Sequence, residues 1–137
     1  MVTRFLDTNI VLYAVSAAPE EARKRGIARV VLAERDNAIS VQVLQEFYVQ
    51  STRPSRPGAL THREAVRFME TLRRFPVAPV TVDVLDAALD LRSRFSLSYW
   101  DSAILAAARI MDCDHVYSED MSSTQDYNGI RVINPFT

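Results

Sequence analysis

Four acidic residues stand where packing alone gives no reason for an acid: Asp7, Glu46, Asp101 and Asp120. Asp7 directly follows the apolar pair Phe5-Leu6, and Asp120 follows the short run His115-Val-Tyr117. If both runs are parallel strands, both acids fall beyond strand carboxyl ends, where open α/β sheets bind ligands. Asp101 opens a segment that is apolar nearly all round, Ala103-Ile-Leu-Ala-Ala-Ala108, and so belongs at the rim of a core. Glu46 lies in Val43-Leu-Gln-Glu-Phe-Tyr48. At about 100° per residue, Val41, Val43, Leu44, Phe47 and Tyr48 make one apolar arc, and Glu46 falls just outside it, between Gln42 and Gln50.

Carboxylates gathered in one cleft repel each other, and some are protonated unless a cation joins them. Oxygen-only ligands favour a hard ion, Mg²⁺ or Mn²⁺, over zinc or copper. Such an ion orients water, lowers its pKa and stabilises charge on a phosphodiester in transit. Thr8, Asn9 and Ser118 add neutral oxygens beside the acids. Taken singly, each acid has a plainer reading: Asp7 as a turn residue, Glu46 as a solvated helix acid, Asp101 as part of a Ser98 capping box, Asp120 as a loop acid.

The elements that must position these residues alternate. Val2–Leu6 reads as a strand, and Asn9 as the cap of a helix over Ile10–Val15. Pro19 opens a helix to about Glu34, with Ile27, Val30 and Val31 as its buried stripe. Ala38–Ser40 is a strand and Val41–Ser51 a helix. Thr61-x-x-Glu64 is a capping box for Arg63–Phe75. Val77–Thr81, with the two prolines Pro76 and Pro79 beside its strand residues, suits a sheet edge. Val82–Phe95 is helical, with Val82, Leu85 and Leu89 on one side. Ser98-x-x-Asp101 opens a helix to about Met111. His115–Tyr117 and Ile130–Ile133 are strands, separated by a turn at Asp126-Tyr-Asn-Gly129. This predicts an α/β fold, with about five strands in a mainly parallel sheet flanked on both faces by six or so helices.

Composition narrows the chemistry further. The 137 residues fit one domain spanning 1–137, and 48% hydrophobic content argues against disorder. No apolar run approaches the roughly 18 residues of a membrane span, and MVTRFLDTNI carries no signal-peptide pattern. One cysteine, Cys113, permits no internal disulfide and fits a reducing cytoplasm. One Cys and two His, His62 and His115, exclude a four-ligand Cys/His zinc site. Lys24 is the single lysine, so a receiver-type phosphotransfer site with a late lysine is excluded, and no Gly-rich loop with lysine supports an ATPase. A haloacid-dehalogenase-like site wants a second acid where Asn9 stands. A net charge of −1 implies no strong nonspecific pull toward nucleic acid or membrane.

Four segments in order resemble the PIN domain family: Phe5-Leu-Asp-Thr-Asn-Ile10, Val43-Leu-Gln-Glu-Phe-Tyr48, Tyr99-Trp-Asp-Ser-Ala-Ile-Leu-Ala-Ala-Ala108 and Tyr117-Ser-Glu-Asp-Met121, followed by Gly129-Ile-Arg-Val-Ile-Asn-Pro-Phe136. More narrowly, they are similar to the VapC-like toxins of type II toxin–antitoxin pairs, over essentially the whole chain. The resemblance implies a PIN-like three-layer sandwich and a Mg²⁺- or Mn²⁺-dependent endoribonuclease. It implies Asp7, Glu46, Asp101 and Asp120 as the catalytic, metal-binding acids, with Asp7 and Asp101 as direct ligands and Thr8, Asn9 and Ser118 in support. Glu119 adjoins Asp120, and the family pattern favours Asp120. A VapB-like antitoxin and a homodimer are the implied protein partners. A catalytically inactive PIN-fold module that binds RNA or a protein is the alternative.

Arg63, Arg67 and Arg74 fall within about 40° on the wheel of the fourth predicted helix and form a candidate RNA-binding patch. Glu70 stands near enough in sequence to pair with them instead. None of Tyr13, Phe47, Tyr48, Tyr99 or Trp100 is assigned to RNA, because core packing is the commoner use of such aromatics.

Overall fold

The computed structural model describes residues 4–123 and 125–137. Strand β1 (Arg4–Leu6) is followed by α1 (Thr8–Ala14), a 3-10 turn (Pro19–Glu21) and α2 (Ala22–Ala33). Strand β2 (Asn37–Ser40) leads into α3 (Val41–Ser51), α4 (His62–Leu72) and β3 (Val77–Ala78). Helices α5 (Val82–Phe95) and α6 (Tyr99–Ile110) precede β4 (His115–Tyr117), β5 (Asp126–Tyr127) and β6 (Ile130–Ile133). Val2 and Thr3, the start of the predicted first strand, lie outside the described residues.

Local chemistry sets most of the helix starts. Ser40, Thr81 and Ser98 each accept a hydrogen bond from a first-turn backbone N–H of α3, α5 and α6. Thr61 and Glu64 close a reciprocal capping box on α4. At α1 the cap is Asp7, which accepts from the Thr8 N–H, and not Asn9 as predicted. Asn9 is already helical, and its amide is free to reach sideways.

The six strands form one sheet in the order β3-β2-β1-β4-β6-β5. All pairs are parallel except β5–β6. The sixth strand is the first half of the predicted turn: Asp126–Tyr127 pairs back on β6, with Asn128-Gly129 between them, both at positive φ. Strand β3 takes the sheet edge, as its prolines suggest. Every residue of β1 and β2 is buried, so helices cover both faces there. Helix α6 contacts β2, β3 and β4, while α1 packs on α2 and α3. At the end of the sheet away from Asp7, Arg4 Nε donates to Asn37 Oδ1 at 2.8 Å, and its guanidinium lies 4.8 Å from the Tyr117 ring.

The structure corrects the buried stripe of α2 and the end of α4, and it turns the apolar stripe read in α5 outward. In α2 the buried residues are Ala28, Val31 and Leu32, whereas Val30 is exposed. In α5 they are Val84, Ala88 and Leu91, whereas Val82, Leu85 and Leu89 are 70%, 41% and 50% exposed. The α5 sequence carries two apolar stripes, and its neighbour decides between them. That neighbour, α6, buries Ala103, Ala106, Ala107 and Ala108, so a small residue such as Ala88 can serve at a close helix contact. In α4 the helix ends at Leu72, so Arg74 is not on it. Phe75 precedes Pro76, which disfavours helical geometry there.

Candidate functional site

The order of the strands puts β1 and β4 side by side, with Leu6 level with Tyr117. Their carboxyl ends open at the point where the chain, having filled one half of the sheet, crosses to fill the other. Asp7 continues β1, and Ser118, Glu119 and Asp120 continue β4. The first turn of α6 brings Asp101, and the middle of α3 brings Glu46. All four acids line one cavity of about 130 Å³, together with Thr8, Asn9, Leu12, Gln42, Gln50, Trp100 and Ile104.

The acids differ in surroundings. Asp7 is 5% exposed, Glu46 and Asp101 are half-buried, and Asp120 is exposed. Asp7 Oδ1 accepts from the Thr8 N–H at 2.7 Å, and Oδ2 accepts from the Ser118 hydroxyl at 2.7 Å. The Thr8 hydroxyl donates to Glu46 Oε1 at 2.6 Å. Asn9 Nδ2 reaches Asp120 Oδ2 at 3.0 Å and, more loosely, Asp7 Oδ2 at 3.4 Å. The three neutral residues of the predicted set therefore each hold at least one acid in place.

Burial pushes the Asp7 carboxyl up to about 6. The bonds from Ser118 and Thr8 oppose that rise, and the charges on Asp101 and Asp120 add to it. Asp101 is also raised, by burial first and then by the charge on Asp120. Uncompensated negative charge is what a cation at this site would relieve.

Glu119 faces the other way. It accepts from the Tyr13 hydroxyl at 2.5 Å and pairs with Lys24, which also reaches the Tyr13 oxygen at 3.3 Å. Burial raises the Glu119 carboxyl, but these partners outweigh it and the net shift is downward. The Glu119 N–H donates to Asn9 Oδ1 at 3.3 Å, and the Asp120 N–H to Ser118 Oγ at 3.1 Å. The loop after β4 is thereby held with one acid on each side.

The donor set is all oxygen, which fits a hard divalent ion and not a soft one. Among the described residues, no three acidic, His or Cys side chains stand close enough to close on one ion together. Mg²⁺ does not require that, since it keeps several waters and takes one or two carboxylates directly.

The arginine patch does not assemble as predicted. No arginine lines the acidic cavity. Arg63 and Arg67 share an open depression with Thr61, Glu64, Phe68 and Thr71. Arg74 is engaged in the fold: Nη2 donates to the Leu32 carbonyl at 2.6 Å, Nη1 donates to the Thr71 carbonyl, and the guanidinium sits 4.3 Å from the Phe75 ring. A wider concavity, about 820 Å³, lies elsewhere, beside Leu44, Tyr48, Met69 and Phe75. It is lined by apolar and amide side chains with one arginine and no acid, so it offers no comparable chemistry.

Several residues at the site were given no role there from sequence. Gln42 and Gln50 lie four positions either side of Glu46, so a helical period could have found them. Trp100 adjoins Asp101. The Lys24–Tyr13–Glu119 group had no local signal.

The sequence model of the PIN domain family matches residues 4–122. No curated relative matches. Among solved structures, a toxin–antitoxin complex from Klebsiella pneumoniae superposes with a TM-score of 0.70 at 23% identity, covering 97% of this chain and 98% of that one. VapC20 of Mycobacterium tuberculosis, described as a sarcin–ricin loop cleaving toxin, gives 0.68 at 24%, over 86% and 90%. A DNA-bound VapBC from Salmonella typhimurium gives 0.69 at 16%, over 98% and 99%. At these identities the likeness is one of fold.

Proposed function

This chain belongs to the PIN domain family, and from that premise we propose that it is a Mg²⁺- or Mn²⁺-dependent endoribonuclease, the toxin of a type II, VapBC-like pair. The observation that carries the reading is the convergence of four carboxylates, from four elements far apart in sequence, on one cavity of about 130 Å³. The similar solved structures support it, being named as toxin–antitoxin or VapBC assemblies or as a sarcin–ricin loop cleaving toxin.

Asp7 and Asp101 would hold the ion, with Glu46 and Asp120 completing the acidic set. When bound, the ion supplies water activation and charge stabilisation at the scissile phosphodiester. Ser118 and the Thr8 N–H fix the two Asp7 oxygens; Oδ1 keeps a further lone pair, and Oδ2 regains one when the loose Asn9 contact yields. The Thr8 hydroxyl holds Glu46 Oε1, leaving Oε2 to accept a proton from the attacking water. Asn9 spans Asp7 and Asp120 and keeps them from rotating away. Leu12 and Ile104 form the apolar floor.

We read the whole chain as one domain, because β6 pairs with β4 although it lies beyond the family match. A VapB-like antitoxin and a second copy of this chain are the proposed protein partners, and the cytoplasm the proposed compartment. No described helix is long and apolar enough to cross a membrane.

One observation favours the inactive-module alternative: no three acids close on a single point. Hydrolysis separates the two. The purified protein should cut single-stranded RNA with Mn²⁺ or Mg²⁺, lose that activity in EDTA and leave single-stranded DNA intact. RNA binding without EDTA-sensitive cleavage supports the inactive module.

A further inference from the structure

We propose that Trp100 is a stacking platform for a nucleobase next to the phosphodiester received by the acidic cavity; this rests on the ribonuclease reading above. Trp100 is 62% exposed, although the seven residues that follow Asp101 are all buried. It lines the acidic cavity and also an adjoining cleft with Pro79, Val80 and Leu85, so it forms the wall between a polar and an apolar space. Tyr99 meets its ring edge to face, with centroids 5.0 Å apart and planes at 79°. Gln42 donates to its carbonyl at 3.2 Å. The residue is thus anchored at its backbone and on one ring contact while most of its surface stays open.

The electrostatics of the site give such a platform a purpose. Four carboxylates line the cavity and no lysine or arginine does. A phosphate there gains nothing from the protein's own charge. Beyond what a bound cation supplies, RNA must then be held by contacts that do not depend on the protein's charge at the cavity. Stacking is one, since every base presents a π face. The apolar cleft beyond Trp100 gives the base a dry neighbour, while its phosphate lies toward the acids. A nucleobase of a single strand fits this arrangement better than a protein side chain, because only the nucleic acid brings both a ring for Trp100 and a phosphodiester for the acidic cavity that Trp100 also lines.

Trp100 is the only tryptophan, so its fluorescence reports on this ring alone. The full-length protein in EDTA is titrated with a short mixed-sequence single-stranded oligoribonucleotide and with a strand of equal length built from abasic residues. The expected result is quenching by the first and not by the second. In parallel, Trp100→Ala and Trp100→Phe are compared for RNA cleavage in Mn²⁺. Trp100→Ala should lower kcat/KM by roughly 5- to 150-fold, mainly through KM, and Trp100→Phe should restore most of it. Mn²⁺ binding, followed by thermal shift, should be the same in all three.

If the wild type cleaves RNA but its indole is not quenched, or Trp100→Ala matches it in KM, the stacking role is overturned while the ribonuclease reading stands. A changed sedimentation coefficient in Trp100→Ala, without quenching by RNA, assigns the indole to a protein contact and overturns it too. If the wild type cleaves no RNA under any divalent metal, the ribonuclease reading falls and takes this one with it.

Discussion

Asp7 carries the largest part of the site's tension. It is buried, hydrogen-bonded to Ser118 and Thr8, and still pushed up to about 6 from the ordinary 3.8. The sign of the linkage follows from proton counts. Between pH 4 and 6 the folded chain holds a proton on Asp7 that the unfolded chain has released. Stability therefore falls as pH rises through that window, by about 3 kcal/mol if the whole shift is realised. Asp7→Asn removes this charge while keeping the shape, so the metal-free variant should melt a few degrees higher than the wild type at pH 7.5, and the gap should close near pH 4. The same variant should abolish RNA cleavage and lose the Mn²⁺-dependent rise in Tm that ligand binding gives the wild type. Scanning calorimetry in EDTA and in Mn²⁺ across pH checks each part. An Asp7→Asn protein that still gains stability from Mn²⁺ would remove Asp7 from the ligand set.

At the scale of elements, α5 provides the sharpest contrast between pattern and packing. Its bulkier residues, Val82, Leu85 and Leu89, repeat at helical spacing yet face outward, while Ala88 is fully buried. The partner helix is rich in alanine, and two helices with small contact residues approach closely enough to exclude larger ones. Ala88→Leu should therefore cost about 1–3 kcal/mol by overpacking. Leu89→Ala, at 50% exposure, should change stability by no more than about 0.5 kcal/mol. Urea unfolding of the two variants measures both, and a reversal of the order would restore the face predicted from periodicity. The loop after β4 is the second informative element. Lys24 in α2 and Tyr13 in α1 grip Glu119 and leave its neighbour to the cavity.

For the molecule as a whole, charge is distributed with a purpose that net charge conceals. The sum is −1, yet four acids are pooled at one sheet edge while Arg63 and Arg67 stand exposed on another surface. If that surface tracks the RNA backbone, each phosphate contact adds to the salt dependence of binding. Arg63→Ala with Arg67→Ala should then make the slope of log K against log[salt] shallower by about 1.4 for a single strand, about 0.7 for each lost contact. Arg74→Ala should leave the slope unchanged and instead lower stability, because it strips hydrogen bonds from the Leu32 and Thr71 carbonyls. Filter binding at several salt concentrations separates the two. An unchanged slope in the double variant would take Arg63 and Arg67 out of the RNA path.

Much of the architecture is legible along the chain because its signals are short-range. Caps such as Thr61 and Ser98, the prolines around β3 and the alternation of strand and helix are signals that act over short stretches of chain, and the structure shows each of them. The four acids were also recoverable, because each sits at an element boundary or just off an apolar arc. What the tertiary structure alone decided is orientation. Which of Glu119 and Asp120 enters the cavity depends on Lys24, 95 residues away. Which stripe of α5 is buried depends on the size of the residues opposite it. Whether Arg74 is free depends on a carbonyl 42 positions earlier, and whether Trp100 is core or surface depends on where α6 ends its contact with the sheet. A side chain's direction is set by partners that come near only after the chain has closed, and no local pattern encodes them.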